Sequence, residues 1–393
     1  MKKGYDMYII LKGGRRMKKK LLGVLLSVTM VATLLVGCAG GDDGGSAETT
    51  KVSEQDAQDE DKDENKAETT AKDEEANDAA EGDELNFGVL IYKFDDTYIS
   101  TVRNAIEKYA AESSVPIKLD FQDGQGDQAK QNDQLDILIE KNVDLLLINA
   151  VDAGSAQGLA DKAKEAGIPA VFFNREPAKE VMESIDGLFI GTTASEAGVM
   201  QGDILADIWE EDSEKYDLNG DGKVQYLVFK GEPGNPEAEA RTEFSVKQAE
   251  ERGLVMENVN SEPVVANWMT DQAQTSMEAL LAANEGGIEA VFCNNDDMAL
   301  GVIAALNNIG YNTDEEAENW IPVIGVDATD SGIEAINSGK MAGTVKQDGD
   351  AMGKAIIAIG VNAAQGKDFV EGTDYEISDD GVSIRIPYAP VNK

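Results

Sequence analysis

VDLLLIN, residues 143–149, is one of several short, almost unbroken apolar runs, each followed by an amphipathic stretch of helical period. This alternation constrains the fold more than any other feature of the chain. LNFGVLIY (85–92) precedes a predicted helix over 97–112, and IKLDFQD (117–123) precedes one over 127–141. VDLLLIN leads into a helix over 154–167 and then PAVFFN (169–174). After Gly191-Thr192 the rhythm restarts with helix 194–211, strand 223–230, helix 236–252 and strand 253–260. Helix 271–285, strand 288–294, helix 297–308 and strand 321–326 continue it. Strands that are apolar throughout, rather than alternating, belong in parallel sheets covered by helices on both faces. Two such series imply an α/β protein of two doubly wound, Rossmann-like domains rather than one. A TIM barrel shares the alternation. The break near 175–192 and the loss of rhythm after 345 argue against a closed eightfold ring.

The front of the chain predicts where those domains work. From Met17 it reads MKKKLLGVLLSVTMVATLLVGCAGG: lysines, an apolar run, then Leu35-Val36-Gly37-Cys38. Residues 1–37 are expected to be a secretory signal with its true start at Met17, ending in what resembles a bacterial lipobox, so that Cys38 would be lipidated. A single transmembrane anchor is the alternative, but a run of about 17 residues sits at the short limit for a span. Residues 38–84 follow as the lipidated cysteine and an acidic linker. From 39 to 84 there are 18 Asp or Glu against 4 Lys and almost nothing apolar, a composition that cannot bury enough surface to fold. The expected location is extracytoplasmic, tethered to the cell membrane by lipid; one acyl chain binds weakly and two anchor stably.

Charge and residue usage exclude whole classes of function. Of the net charge of −41, about −34 belongs to residues 85–393. Such a field repels nucleic acid and anionic lipid. The chain has no histidine, which removes Ser-His-Asp and Cys-His catalysis and any His-ligated metal. With Cys38 taken by lipid, Cys293 has no partner for a disulfide and reads as a core residue.

In open α/β sheets, ligands bind beyond the carboxyl ends of the strands. Those ends here carry Asp95-Asp96-Thr97-Tyr98, Asp123-Gly124-Gln125, Asn149, Asn174-Arg175-Glu176, Gly231-Glu232-Pro233-Gly234-Asn235, Asn294-Asn295-Asp296 and Gly325-Val326-Asp327. They supply carboxylates, carboxamides and an arginine, with no phosphate cradle; Gly231-x-x-Gly234 lacks the rest of a Walker or dinucleotide fingerprint. Hydroxyls both donate and accept, so a small neutral sugar suits this set, and Tyr98 and Trp268 offer aromatic faces for the C–H side of a ring. Each Asp or Asn taken singly also reads as a helix N-cap.

DLNGDGKVQ (217–225) resembles the first nine positions of a calcium loop, with Asp217, Asn219 and Asp221 at alternate places, Gly222 at the turn and Gln225 ninth. The twelfth position, where an EF-hand places a bidentate Glu, is Val228. On the residues alone, a metal site and a chance acidic turn remain equally open.

Several stretches together match something more specific. VLIYKFDDTYIS (89–100), GQGDQAKQNDQLDILIEKNVDLLLINAVD (124–152), VFFNREP (171–177), GEPGNPEAEAR (231–241), NNDDMALG (294–301) and GVDA (325–328) resemble, in order and spacing, the galactose/glucose-binding proteins of bacterial sugar ABC transporters. The resemblance covers 85–393. It implies the type I periplasmic-binding-protein fold, two lobes joined by a three-strand hinge that close over one sugar. The lobes would be 85–192 plus 348–385, and 193–347 plus 386–393. Sugar contacts carried over are Asp96, Tyr98 and Asn174 from the first lobe. From the second come Asn235, Glu237, Arg241, Trp268, Asn295 and Asp327, with Gln347 near the last crossing. Tyr98 and Trp268 would sandwich the ring, Asp96 would hold the 4-hydroxyl, and Arg241, Asn295 and Asp327 would hold others. Asn235, Glu237, Gln347 and Tyr98 depart from the family's His, Asp, Asn and Phe, which bears on which sugar is bound.

The resemblance also implies a structural Ca²⁺ held by side chains of Asp217, Asn219, Asp221, Gln225 and Glu289 and by the backbone carbonyl of Lys223. The partners it implies are a monosaccharide and an ABC permease with its ATPase. A chemoreceptor or histidine kinase is the alternative recipient, a related pyranose or a glycoside the alternative ligand, and a monomer the expected state. An enzyme is not implied. A glycosidase would need Asp96 with Glu237 or Asp327 as its two carboxylates and open access to polymeric sugar.

Overall fold

The computed structural model describes residues 84–284, 287–314 and 317–392. The signal segment 1–37, Cys38 and the acidic linker up to residue 83 lie outside the described residues. Among the described residues no helix is long and apolar enough to cross a membrane.

The chain begins with β1 (Leu85–Ile91), α1 (Thr97–Ala111), β2 (Ile117–Asp123), α2 (Gln128–Glu140) and β3 (Leu145–Ile148). It continues through α3 (Ala156–Ala166), β4 (Ala170–Phe173), α4 (Lys179–Ile185) and β5 (Leu188–Gly191). A second series follows: α5 (Ala194–Glu211), α6 (Ser213–Tyr216), β6 (Val224–Lys230), α7 (Pro236–Glu251), β7 (Met256–Asn258), β8 (Val264–Val265) and α8 (Thr270–Ala283). Then come β9 (Ala290–Cys293), α9 (Asp296–Asn308), β10 (Val323–Ile324), α10 (Asp330–Asn337) and β11 (Gly343–Lys346). The last elements are α11 (Gly349–Ala364), β12 (Ser383–Arg385) and β13 (Ala389–Asn392).

These strands form two sheets. The first runs β12-β5-β4-β3-β1-β2, all parallel. The second runs β13-β11-β10-β9-β6-β7, with β8 also on β6; only β13 is antiparallel. Two open sheets overturn the barrel alternative. The chain passes between them three times, at 192–193, 347–348 and 386–388, between β5 and α5, β11 and α11, and β12 and β13.

Every residue of β3, β4 and β5 is buried because helices cover both faces. Along β1, Phe87, Val89 and Ile91 face α1 and α11 through Val102, Ile106 and Ile356, while Leu90 faces α2 and α3 through Leu135 and Leu159. This is the period-two alternation of a strand with a core on each side. The second sheet repeats it: Leu227, Phe229 and Val291 pack under α8 and α9, and Tyr226, Val228 and Phe292 under α5 and α7. Cys293 is free and buried in the first of these cores.

The structure departs from the sequence expectation in its short elements. The supposed break at 175–192 contains α4 and β5; the seven residues of α4 are too few to show a helical period. Helix α10 was not expected. The strand expected over 253–260 is reduced to three residues at the sheet edge, and that over 321–326 to two.

Candidate functional site

The ten residues singled out from the sequence come together. Asp96, Tyr98 and Asn174 from the first lobe and Asn235, Glu237, Arg241, Trp268, Asn295, Asp327 and Gln347 from the second line one void of ≈ 330 Å³, mouth included. Tyr92 and Arg175 line it as well; Arg175 reads from the sequence as a polar strand end, but neither was among the expected sugar contacts. All twelve lie at or beyond the carboxyl ends of parallel strands or in the first turns of the helices that follow, where this class of sheet places ligands.

Three of these residues are helix N-caps and wall residues at once. Asp96 Oδ1 accepts the Ile99 amide at 2.7 Å to cap α1, while its other oxygen accepts the Tyr92 hydroxyl. Asn235 Oδ1 caps α7 by accepting from Glu237 N (2.9 Å) and Ala238 N (3.2 Å), with Pro236 fixing the first helical position. Asn295 Oδ1 caps α9 through Met298 N at 3.0 Å, and its amide donates to the Trp268 carbonyl at 3.3 Å. Capping uses one side-chain oxygen and leaves the rest of the group for the slot.

Backbone strain aims two others. Asn174 has φ 61°, and the pair Asn267–Trp268 has φ 49° and 67°, left-handed values that asparagine tolerates and tryptophan does not favour. The Trp268 turn brings the indole against Gly231, where a Cβ would stand 2.2 Å from indole Cζ2. Residue 231 is glycine because the ring occupies that space. Asn174 Oδ1 accepts from Asn149 at 3.1 Å, which directs its amide nitrogen away from that bond.

Arg241 is the electrostatic centre. It projects from α7, only 2% exposed. Nη1 donates to the Asn294 carbonyl (2.8 Å); Nη2 donates to Glu237 Oε2 (3.0 Å), Gln347 Oε1 (2.8 Å) and the Tyr388 hydroxyl (2.8 Å). Asp327 Oδ1 stands 3.9 Å from Nη1. Burial opposes the arginine's charge, but Tyr388, Glu237 and Asp327 outweigh it and hold the guanidinium firmly protonated. For Asp327, burial dominates and raises its pKa well above the usual carboxylate range, with Arg241 pulling the other way.

Arg175 is a second buried guanidinium. It stacks on Tyr92 at 3.6 Å, donates to the Val151 carbonyl (2.7 Å), and crosses to the other lobe to pair with Glu232 at 2.8 Å. Its signal was present: a buried arginine two residues beyond the strand AVFF must find a counter-charge. Thr97 to Asp297 (2.7 Å) and Thr192 to Glu237 (2.8 Å) also join residues of the two sheets' domains. Tyr388 and Thr192, from the crossing segments, form the layer behind Glu237 and Arg241.

The slot therefore offers carboxylates at Asp96, Glu237 and Asp327 against guanidiniums at Arg175 and Arg241, a nearly balanced set. Among the described residues six buried side-chain polar atoms lack a hydrogen bond, and three belong here: Arg241 Nε, Trp268 Nε1 and Gln347 Nε2. All three are donors. Buried donors are rarely left unmatched, and such a set suits a small neutral ligand rich in oxygen acceptors.

At the opposite, amino ends of β6 and β9 a second cluster forms. Asp217 accepts from Gly220, Asp221 and Gly222 amides at 2.7, 3.1 and 2.9 Å, winding the loop around its carboxylate. Asn219 donates to Gln225 Oε1 (3.0 Å), and Gln225 donates to Asp221 Oδ2 (3.0 Å). Glu289, 1% exposed, accepts from Leu218 N (2.7 Å) and Gln225 N (3.1 Å). Lys223 turns its ammonium outward to Glu257 at 2.7 Å. Burial raises the Glu289 pKa, which the backbone donors of Gln225, Leu218 and Asn219 oppose. Among the described residues no three His, Cys, Asp or Glu side chains converge as a metal cluster; two of the five side chains here are amides. A buried carboxylate beside Asp217 with no cationic partner, ringed by oxygen donors, fits a hard cation.

Known proteins agree with this architecture. Residues 87–368 match the periplasmic binding protein domain. The D-galactose/methyl-galactoside binding periplasmic protein of Haemophilus influenzae is 39% identical over 308 residues, covering 78% of this chain and 89% of that protein. An ABC transporter solute binding protein from Bacillus halodurans with bound myo-inositol is 28% identical, with a TM-score of 0.64 over 78% of this chain and 94% of its own. A counterpart from Actinobacillus succinogenes with bound D-allose shares the fold at 20% identity, with a TM-score of 0.65 over 79% and 98% of the two chains. These relatives bind solutes and are not enzymes. By the match over residues 87–368 and the 39% identity to the Haemophilus protein, the chain belongs to the periplasmic binding protein family.

Proposed function

We propose that this chain captures a monosaccharide, an aldohexose of the galactose or glucose type, by closure of its two lobes, and delivers it to an ABC permease outside the cytoplasm. The convergence of ten polar and aromatic residues from both lobes on one slot carries this reading. A ligand touching both lobes favours the closed state by its differential affinity, and the crossing segments near Thr192, Gln347 and Tyr388 are where the chain must flex. The contacts Thr97–Asp297 and Arg175–Glu232 would latch the closed form.

The departures from the family pattern bear on the sugar. The longer Glu237 and Gln347 side chains both reach Arg241, at 3.0 and 2.8 Å, so they shape the slot at one end around that guanidinium. The Haemophilus relative's name supports galactose and its methyl glycosides; the Bacillus structure's myo-inositol keeps a cyclic polyol in view. Calorimetric titration with D-galactose, D-glucose, methyl galactoside, D-ribose and myo-inositol tests the reading. Binding of galactose or glucose is expected near micromolar, about −8 kcal/mol, with a fall in radius of gyration in solution scattering. Heat from inositol or ribose alone would displace the hexose, and silence from the whole panel would end the sugar reading.

Gly231→Ala is expected to weaken that binding about tenfold or more, since the new methyl must push the Trp268 indole out of place. Unchanged affinity in this variant would remove Trp268 from the platform role.

The acidic loop and Glu289 are read as a structural Ca²⁺ site, with Asp217, Asn219, Asp221 and Gln225 and the Lys223 carbonyl completing the oxygen set. Cys38 is read as a lipid anchor and the chain as a monomer. Delivery to a chemoreceptor or histidine kinase is the alternative destination, and occupancy-dependent pull-down of permease against receptor separates the two.

A further inference from the structure

We infer that Asp296, which faces the core rather than the slot, is a positioning residue that holds Asp327 in its sugar-binding conformation. The inference rests on the sugar-capture reading above. Asp296 is the first residue of α9 and is 0% exposed. Its neighbour Asn295 lines the slot; Asp296 turns to the loop after β10.

That loop needs holding. Asp327 and Ala328 have φ of 118° and 56°, two consecutive non-glycine residues in left-handed space. Such residues oppose folding unless their surroundings fix them. Asp296 fixes both ends of the turn. Its backbone N–H donates to the Val326 carbonyl at 2.8 Å. Its Oδ2 accepts from Thr329 N (2.8 Å) and Thr329 Oγ1 (3.2 Å), and its Oδ1 accepts from Thr344 Oγ1 (2.6 Å). Thr344 Oγ1 in turn accepts from Ala328 N at 3.4 Å, so one hydroxyl links the carboxylate to the strained residue itself. Among the described residues the Asp327 side chain takes no hydrogen bond from the protein; Arg241 Nη1 stands 3.9 Å away, and the turn sets where the carboxylate starts from.

The space around Asp296 is built for a carboxylate. A Cβ at Gly325 would lie 2.3 Å from Oδ1, and one at Gly332 would lie 2.3 Å from Oδ2. Two glycines leave the room that this group fills. Burial raises its pKa to about 6, a penalty that its three threonine bonds offset. An asparagine has the same shape but only one acceptor oxygen, so an NH₂ group would face either the Thr329 or the Thr344 donor.

The test is a double-mutant cycle on galactose and glucose affinity, using Asp296→Asn with Asp327→Asn and, separately, with Asp96→Asn. Asp296→Asn alone is expected to weaken binding about 30-fold. Combined with Asp327→Asn it should weaken binding little beyond Asp327→Asn alone, whereas with Asp96→Asn, in the other lobe, the effects should multiply. Multiplication in both pairs, or unchanged affinity in Asp296→Asn, overturns the inference. Should that variant not fold, Thr344→Val against Thr344→Ser decides it: the valine is expected to bind severalfold more weakly and the serine as wild type, and equal affinities overturn the proposal. Wild-type silence toward every sugar would refute the function rather than this role. Amide exchange of the ligand-free chain then decides: faster exchange in Asp296→Asn confined to residues 325–332 supports it, and exchange that is unchanged or raised throughout overturns it.

Discussion

Arg241→Met is expected to abolish sugar capture and to lower the free energy of unfolding by about 3–5 kcal/mol. The guanidinium is 2% exposed and is the hydrogen-bonded counter-charge of Glu237 and the near neighbour of Asp327. Methionine fills much of the volume and supplies no charge. Asp327 and the partly buried Glu237 would lose the charge between them, and the Asn294 carbonyl, the Gln347 amide oxygen and the Tyr388 hydroxyl would each lose a donor. Arg241→Lys separates charge from geometry. A lysine keeps the charge but cannot reach Asn294 on one side and Glu237, Gln347 and Tyr388 on the other with a planar fork. It is expected to lose about 100-fold in affinity with a smaller loss of stability. Urea denaturation and calorimetry measure both. A methionine variant that binds within tenfold of wild type would show that the guanidinium serves the hinge and not the ligand.

How this centre was legible in the sequence depends on the residue. The apolar runs that became β1, β3, β4, β6 and β9 were readable because burial on both faces forces uninterrupted hydrophobicity. Short helices such as α4 and α10 were not, because seven or eight residues offer too few positions to establish a helical period; β5, a four-residue strand like β3, β4 and β9, was passed over behind α4. The polar strand ends were readable as a group but ambiguous one by one, and the ambiguity was real: Asp96, Asn235 and Asn295 cap helices and line the slot together. Arg241 lies four residues after Glu237 in a helix, a spacing that usually means an exposed ion pair. Only the fold, closing around α7, makes it buried. Trp268 was placed by resemblance; nothing local announces the left-handed turn at Asn267–Trp268 or the reason for Gly231. Tyr92 and Arg175 were not expected as contacts because their roles depend on each other and on Glu232 from the opposite lobe.

Chelation of calcium is expected to lower the melting temperature by several degrees without a comparable loss of sugar affinity. Bound at about a thousand times its Kd, an ion contributes about 4 kcal/mol to the folded state, and for a domain of 150–250 residues each kcal/mol moves the midpoint by about 2–4 °C, less for a longer one. The loop lies before β6 and Glu289 before β9, whereas the slot lies beyond the other ends of those strands. At about 3.3 Å per residue, the seven residues of β6 put about 20 Å between the two sites. Glu289 is the residue to change, because from the start of another strand it accepts backbone amides of the loop itself. Glu289→Gln should abolish the calcium-dependent rise in melting temperature. It should also weaken the metal-free protein by about 1–3 kcal/mol, because one amide NH₂ then opposes the Leu218 or the Gln225 donor. Asp221→Asn, on the exposed side of the loop, should reduce the calcium response and lower metal-free stability less than Glu289→Gln, since the Lys223 amide and the Gln225 side chain it faces lie nearer solvent. The pair of variants distinguishes loss of a ligand from loss of a brace. Tyr216, immediately before Asp217, offers an independent signal through sensitised terbium emission, expected in the wild type and lost in Glu289→Gln. Superimposable melting curves in calcium and in chelator would leave Glu289 as a brace for backbone amides and nothing more. A collapse of sugar affinity on chelation would mean that the two ends of β6 are coupled, and that the ion sets the shape of the slot.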